Sequence, residues 1–84
     1  MDTRKFKALL DEQVTWPDYY MFKFITKADS KHQLLSLLSE HSIEEKESKN
    51  GKYISITSRK LLSSSDEVIS VYSQISKIEG IITL

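Results

Sequence analysis

The chain has 84 residues, enough for one domain, with twelve basic and twelve acidic residues and no cysteine. A domain this short buries only about 60–65% of the surface that its unfolded chain exposes, which leaves little room for a deep catalytic cavity. The neutral charge is untypical of a general binder of nucleic acid or acidic membranes. The lack of cysteine excludes disulfides, zinc–thiolate sites and cysteine nucleophiles.

The first residues carry scattered charges, and no apolar run in the chain approaches the roughly 18–20 residues of a membrane span. We therefore expect a soluble, cytoplasmic protein without a secretory signal. Residues 1–14 have helical spacing of apolar residues and predict a short amphipathic helix. Trp16-Pro17 ends it, because a proline disfavours helical geometry in the residue before it.

Residues 19–27 alternate between aromatic and other side chains and predict a strand. Its aromatic side chains are expected to face the core: Tyr20, Phe22 and Phe24. A helix is expected to begin at Ser30, because Ser30 and Gln33 have the spacing of a capping box. It should run to about His41 and bury a leucine stripe, formed by Leu34, Leu35 and Leu38.

Residues 43–48 are heavily charged and predict an edge strand whose charges discourage pairing with other molecules. Asn50-Gly51 predicts a two-residue type I′ hairpin turn, since both residues tolerate a positive φ. Residues 52–60 then form the returning strand, with Ile54 and Ile56 facing the core.

A second capping box spans residues 64–67 and predicts another helix, whose acidic residues suit the positive end of the helix dipole. The inward stripe of this helix consists of Val68, Val71, Tyr72 and Ile75. Gly80 ends this region, and residues 81–84 predict a short last strand. The element order is a helix followed by βαββαβ.

This order predicts an α+β, ferredoxin-like fold, the split βαβ pattern, with two helices on one face of a four-stranded antiparallel sheet. The first and third strands are the most apolar and suit the central positions. We expect residues 1–16 to form an N-terminal helix or arm and residues 17–84 to form the single domain.

Four segments carry a family resemblance: Trp16-Pro17, residues 20–25, the hairpin 48–57 and the tail 71–84. Over roughly residues 16–84 the chain resembles the bacterial domain-of-unknown-function 493 family, also called YbeD-like. The resemblance implies a bacterial source and a fold related to small-molecule-sensing ACT domains. Members are often labelled lipoic-acid-binding or regulatory proteins. No residue motif accompanies that label, so it implies no site residues.

The residues do not predict an enzyme. His32 and His41 would lie about 13 Å apart at the two ends of one helix, too far to share a substrate. They also lack the spacing of a metal-ligand pair. The carboxylates of the charged edge strand would be solvated and poor acids at neutral pH. We expect no catalytic residue, no metal and no cofactor.

The sheet face that the two helices leave uncovered is the candidate binding surface, with Lys23, Lys27, Tyr53 and Arg59 as the candidate residues. Alternation adds Met21, Ile25, Ser55, Thr57 and Ile81 to this face. A mixed apolar and cationic patch is typical of a partner surface. Alternatively, residues 1–16 fold over part of it.

Ser64 and Ser65 precede a predicted helix and form a candidate anion site, although ordinary capping explains the same serines. Three functions follow in decreasing order of support. The first is a non-enzymatic regulatory or adaptor domain that binds a protein partner. The second is an ACT-like small-molecule sensor, a monomer or a weak dimer paired through the last strand. The third is a weak binder of single-stranded RNA through Tyr53, which the neutral charge disfavours.

Overall fold

The computed structural model describes residues 2–84 as seven elements. The helices are α1 (Thr3–Gln13), α2 (Ala28–Leu37) and α3 (Ser65–Ile75), and the strands are β1 (Asp18–Lys27), β2 (Ser42–Glu47), β3 (Tyr53–Leu62) and β4 (Ile82–Thr83). The strands form one sheet in the order β2-β3-β1-β4, with antiparallel neighbours. This is the predicted α+β, ferredoxin-like architecture.

The first and third strands occupy the central positions, as predicted, and provide half of the buried core. Phe22 and Phe24 of β1 are fully buried, and Ile54 and Ile56 of β3 are buried on the same side of the sheet. Their side chains share that side because alternate residues of a strand point to opposite faces. The buried apolar cluster comprises Leu10, Phe22, Phe24, Leu34, Leu38, Ile54, Ile56, Leu62, Val68 and Ile75.

The capping box predicted at Ser30 is wrong. Helix α2 begins two residues earlier, with Lys27 as an N-cap that makes no side-chain hydrogen bond. The hydroxyl of Ser30 instead donates to the carbonyl oxygen of Glu79, 3.0 Å away. The helix also ends at Leu37 rather than near His41, and its C-cap Leu38 leaves helical geometry with a φ of −103° and a ψ of 24°. A contact 49 residues along the chain thus replaced the local capping interaction.

The capping box predicted for α3 is confirmed in its main contact. Ser64 is the N-cap, and its hydroxyl accepts from the backbone N–H of Glu67. The carboxylate of Glu67 accepts from the backbone N–H of Ser63, at 2.8 Å. This return bond reaches one residue further back than the usual capping box.

The type I′ turn predicted for Asn50-Gly51 is also wrong. Among residues 2–84, no residue other than glycine has a positive φ, so Asn50 does not adopt the geometry that this turn requires. The turn spans Ser48 to Gly51, where the N–H of Gly51 donates to the carbonyl of Ser48 at 2.9 Å. Gly51 has a φ of 69°. The Asn50 carboxamide oxygen accepts from the N–H of Lys52, so its side chain stabilises the longer loop.

Helix α1 packs against α3 on the helical side of the sheet. Leu10 joins the core, and the Phe6 ring lies 5.8 Å from the ring of Tyr72. The ammonium of Lys7 lies 3.2 Å from the carboxylate of Asp66. The alternative in which the N-terminal residues cover the opposite face is therefore wrong. Within residues 2–84, no helix is both long and apolar enough to span a membrane.

Candidate binding face of the sheet

All four residues predicted for binding lie on the sheet face opposite the helices, which we call the open face. In the β1–β3 pairing, Lys23 is opposite Thr57 and Lys27 is opposite Tyr53. Arg59 is opposite Met21 on the same face. Since directly paired residues of neighbouring strands project to the same side, the structure brings the four predicted residues together on one surface.

An apolar strip runs along β1 and β4 on the open face. It consists of Tyr19, Met21, Ile25, Ile82 and Leu84. Four of these side chains are more than half exposed: Tyr19 at 73%, Met21 at 53%, Ile82 at 53% and Leu84 at 63%. A set of neighbouring exposed apolar side chains is informative where single ones are not.

The prediction that Ile81 lies on this face is wrong. Ile25 pairs with Ile82, so Ile82 projects from the open face, while Ile81 packs against the core on the other side. The pairing continues at Leu84, whose N–H donates to the carbonyl of Lys23 at 3.0 Å. A shift of one residue exchanges the two faces of a strand. Because Ile81 and Ile82 are identical neighbours, the sequence does not show which of the two faces the core.

The open face is locally basic although the chain is neutral. In the β2–β3 register, Glu44 pairs with Thr57 and Lys46 with Ser55, which places both on this face. The face therefore carries four cations, Lys23, Lys27, Lys46 and Arg59, beside the carboxylate of Glu44. Within the described part of the chain none of the four forms an ion pair, whereas Lys7, Lys31 and Lys60 are all paired.

Arg59 lines a shallow groove of about 580 Å³ together with Tyr19, Tyr20, Met21 and Ser42. One guanidinium nitrogen lies 3.7 Å from the thioether sulfur of Met21. A thioether is a weak acceptor, and a guanidinium has five N–H donors. The side chain is thus held against an apolar neighbour, with its remaining donors available to an incoming acceptor.

The candidate anion site at Ser64 and Ser65 is occupied by groups of the chain itself. Ser64 caps α3, and Ser65 is fully buried, with its hydroxyl accepting from the Lys7 ammonium at 3.0 Å. The hydrogen bond to Asp66 is the main cause of a raised pKa at Lys7. A hydrogen bond from Ser65, followed by one from the Trp16 indole, lowers the pKa of Asp11. An anion at this site would be repelled by the carboxylates of Asp11 and Asp66. The arrangement therefore favours a capping role for Ser64.

Neither histidine belongs to a close group of possible metal ligands in the described part of the chain. In residues 2–84, no three His, Asp or Glu side chains group closely enough to hold a metal ion. The His41 ring lies 5.7 Å from the ring of Phe22, and its Nδ1 is buried without a hydrogen-bond partner. Burial lowers the pKa of His41, and the positive charge of Lys60 lowers it further.

Sequence reasoning missed a cleft of about 310 Å³ between α1 and α3. Phe6 and Tyr72 form its apolar wall. Burial raises the pKa of Tyr72 well above its usual value, with the neighbouring Tyr20 adding to the shift. The Tyr72 hydroxyl therefore stays protonated and can donate a hydrogen bond but cannot serve as a base. The one signal for this cleft in the sequence is an aromatic residue on the inward side of each helix, Phe6 in α1 and Tyr72 in α3.

The fold and the open face define a small α+β, ferredoxin-like domain with a basic and partly apolar sheet surface. The chain belongs to the family described as protein of unknown function (DUF493), whose model matches residues 11–84. The match begins in the second half of α1 and covers the whole sheet. Neither a curated protein nor a solved structure matched the chain.

Proposed function

We propose that this domain is a non-enzymatic regulatory or adaptor domain that binds a protein partner through the open face. One observation carries the proposal: Lys23, Lys27, Tyr53 and Arg59 share a surface with the apolar strip, and α1 packs on the opposite side. The proposal takes the cytoplasm of a bacterium as the location, in agreement with the family resemblance.

The chemistry of the remaining polar groups supports a binding role over catalysis. A nucleophile needs a nearby base, and a base needs an orienting partner. Within residues 2–84, the buried Nδ1 of His41 has no hydrogen-bond partner, and the Tyr72 hydroxyl is held protonated. Neither group has the arrangement that general acid–base chemistry requires.

The shape of the open face supports a macromolecular partner over a small molecule. Small-molecule sites are concave and enclose most of the ligand. The candidate residues instead lie along two extended strands, with Lys27 at one end of the face and Arg59 toward the other. Such a surface suits a partner that contacts several strands at once.

Site-specific photo-crosslinking in the source cells tests the proposal. A photoreactive amino acid at Met21, on the open face, is compared with the same group at Ser70, an exposed position of α3. We expect a protein adduct from position 21 and none from position 70. Reversing two charges with Lys23→Glu and Arg59→Glu should abolish the adduct while circular dichroism remains unchanged. If position 21 captures no protein, or the adduct survives both substitutions, the proposal is wrong.

A further inference from the structure

The open face carries an excess of positive charge. In the strand register of the described residues, Lys23, Lys27, Lys46 and Arg59 share the face with one carboxylate, that of Glu44. Among the described residues none of these four cations forms an ion pair, whereas Lys7, Lys31 and Lys60 do. A partner that complements the charge of this surface would therefore carry negative charge.

The apolar strip has the dimensions of one helix. From Tyr19 to Ile25 it follows β1 for about 20 Å, at roughly 3.3 Å per residue. Ile82 and Leu84 widen it to a second strand, which gives about 10 Å with side chains included. An α-helix with its side chains is about 10–12 Å wide, and about 13 residues of helix span 20 Å.

We propose that the open face binds an acidic, amphipathic α-helix of a partner protein, lying along β1. Its apolar residues would cover Met21, Ile25 and Ile82, and its carboxylates would lie beside Lys23 and Arg59. The inference rests on the proposed function and names the class of partner. The bound helix would cover the sheet on its second side, as helices do in three-layer domains.

Arg59 is the residue that distinguishes acidic from merely apolar partners. Its guanidinium lies against the Met21 sulfur at 3.7 Å, at the edge of the apolar strip. A carboxylate arriving with an apolar helix face would accept two parallel hydrogen bonds from this planar group. Because the guanidinium lies beside Met21, a helix that covers Met21 would bring its own side chains within reach of Arg59.

The arrangement of aromatic residues disfavours RNA as the occupant. Base stacking needs aromatic side chains at neighbouring positions of the central strands. Tyr19 and Tyr53 lie at opposite ends of the open face, since Tyr53 pairs with Lys27 while Tyr19 pairs with Leu61. Between them β1 carries Met21, Lys23 and Ile25 on this face, none of which is aromatic. The apolar Met21 and Ile25 suit the apolar residues of a protein helix, and Lys23 between them suits its carboxylates.

Two helical peptides of 14 residues test the inference on the intact protein. They share the same apolar stripe, and one carries glutamates where the other carries lysines. Titrated into isotope-labelled protein, the glutamate peptide should shift the amide signals of Met21, Ile25 and Ile82 and bind at least about tenfold more tightly than the lysine peptide. Raising the salt concentration should weaken it, because exposed charges are screened.

The charge-reversed protein provides the decisive control. With Lys23→Glu and Arg59→Glu, the preference should invert in favour of the lysine peptide. The variant Lys5→Glu/Lys77→Glu, with two exposed charges reversed on the helical side, should keep the wild-type preference. Equal binding of the two peptides to the wild type, or shifts confined to α1 and α3, would overturn the inference. So would tighter binding of the open face to phosphatidylglycerol vesicles or to oligouridine.

The crosslinking experiment separates this inference from the function on which it rests. If position 21 captures a protein segment that is rich in acidic residues and has helical apolar spacing, both stand. If the captured segment is basic or lacks that spacing, the helix inference fails while the adaptor function stands. If no protein is captured, the adaptor function fails.

Discussion

The two faces of the central strands belong to the same backbone but differ in burial and in charge. On the helical side, Phe22, Phe24 and Ile56 are fully buried. On the open side, the neighbouring residues Met21 and Lys23 are exposed. Substitutions on the helical side should therefore lower stability and affect partner binding only indirectly. Substitutions on the second face should change recognition and leave folding intact.

The largest effect is expected at Phe22. Its ring contacts Tyr20, Phe24, His41 and Tyr72 at centroid distances of 4.8, 6.1, 5.7 and 5.2 Å. Replacing a fully buried phenylalanine by alanine costs about 3–5 kcal/mol, a large part of the stability of a small domain. Urea denaturation of Phe22→Ala should show this loss. The adjacent Met21→Ala should stay within about 1 kcal/mol of the wild type, and equal losses at both positions would contradict the distinction between the faces.

The second largest effect is expected from the two serines of the predicted capping boxes, whose substitution should lower the free energy of unfolding by different amounts. Ser64 accepts from the N–H of Glu67 at the start of α3, whereas Ser30 lies inside α2 and donates to Glu79. Loss of an N-cap costs about 1 kcal/mol, so Ser64→Ala should lower the free energy of unfolding by that amount. Ser30→Ala should cost less, because alanine suits a helix interior and the lost hydrogen bond is exposed. A greater loss at Ser30 would favour the capping box that its sequence suggests.

This pair of serines also explains why the sequence predicted one helix start and misplaced the other. At Ser64 the capping partner lies three residues away and is visible in the local pattern. At Ser30 the partner is the carbonyl of Glu79, which no local pattern contains. The same holds for α1, whose contacts with Ser65, Asp66 and Tyr72 are all distant in sequence.

The open face was predictable because strand alternation is a local property. Alternation in β1 and β3 placed Lys23, Lys27, Tyr53 and Arg59 on one side, and the register agrees. It failed in β4, because two consecutive isoleucines do not indicate which of them faces the core. Ile82 rather than Ile81 lies on the open face. Lys46 was missed because the charged pattern of β2 does not distinguish its two faces. Its place follows only from pairing with Ser55.

A smaller, pH-dependent effect should come from His41 on the helical side. Burial lowers its pKa in the folded state, with Lys60 adding to the shift and Glu40 opposing it. The unfolded state then binds a proton more readily, so this contribution is complete above about pH 6.5 and is lost as the pH falls. The urea midpoint should decline from pH 7.5 to 5.5. His41→Asn should flatten the decline, whereas His32→Asn, at an exposed position, should retain it.

The smallest change in stability is expected where the change in binding is largest. Lys23 and Arg59 are exposed, and within the described residues neither forms an ion pair. Lys23→Glu/Arg59→Glu should therefore leave the free energy of unfolding within about 0.5 kcal/mol of the wild type, as is usual for surface positions. A surface maintained for folding would lose stability when its charges are reversed. If the charge-reversed variant keeps the wild-type free energy of unfolding and inverts the preference between the two peptides, these cations serve to bind a partner. If its free energy of unfolding falls by as much as that of Ser64→Ala, the cations stabilise the fold.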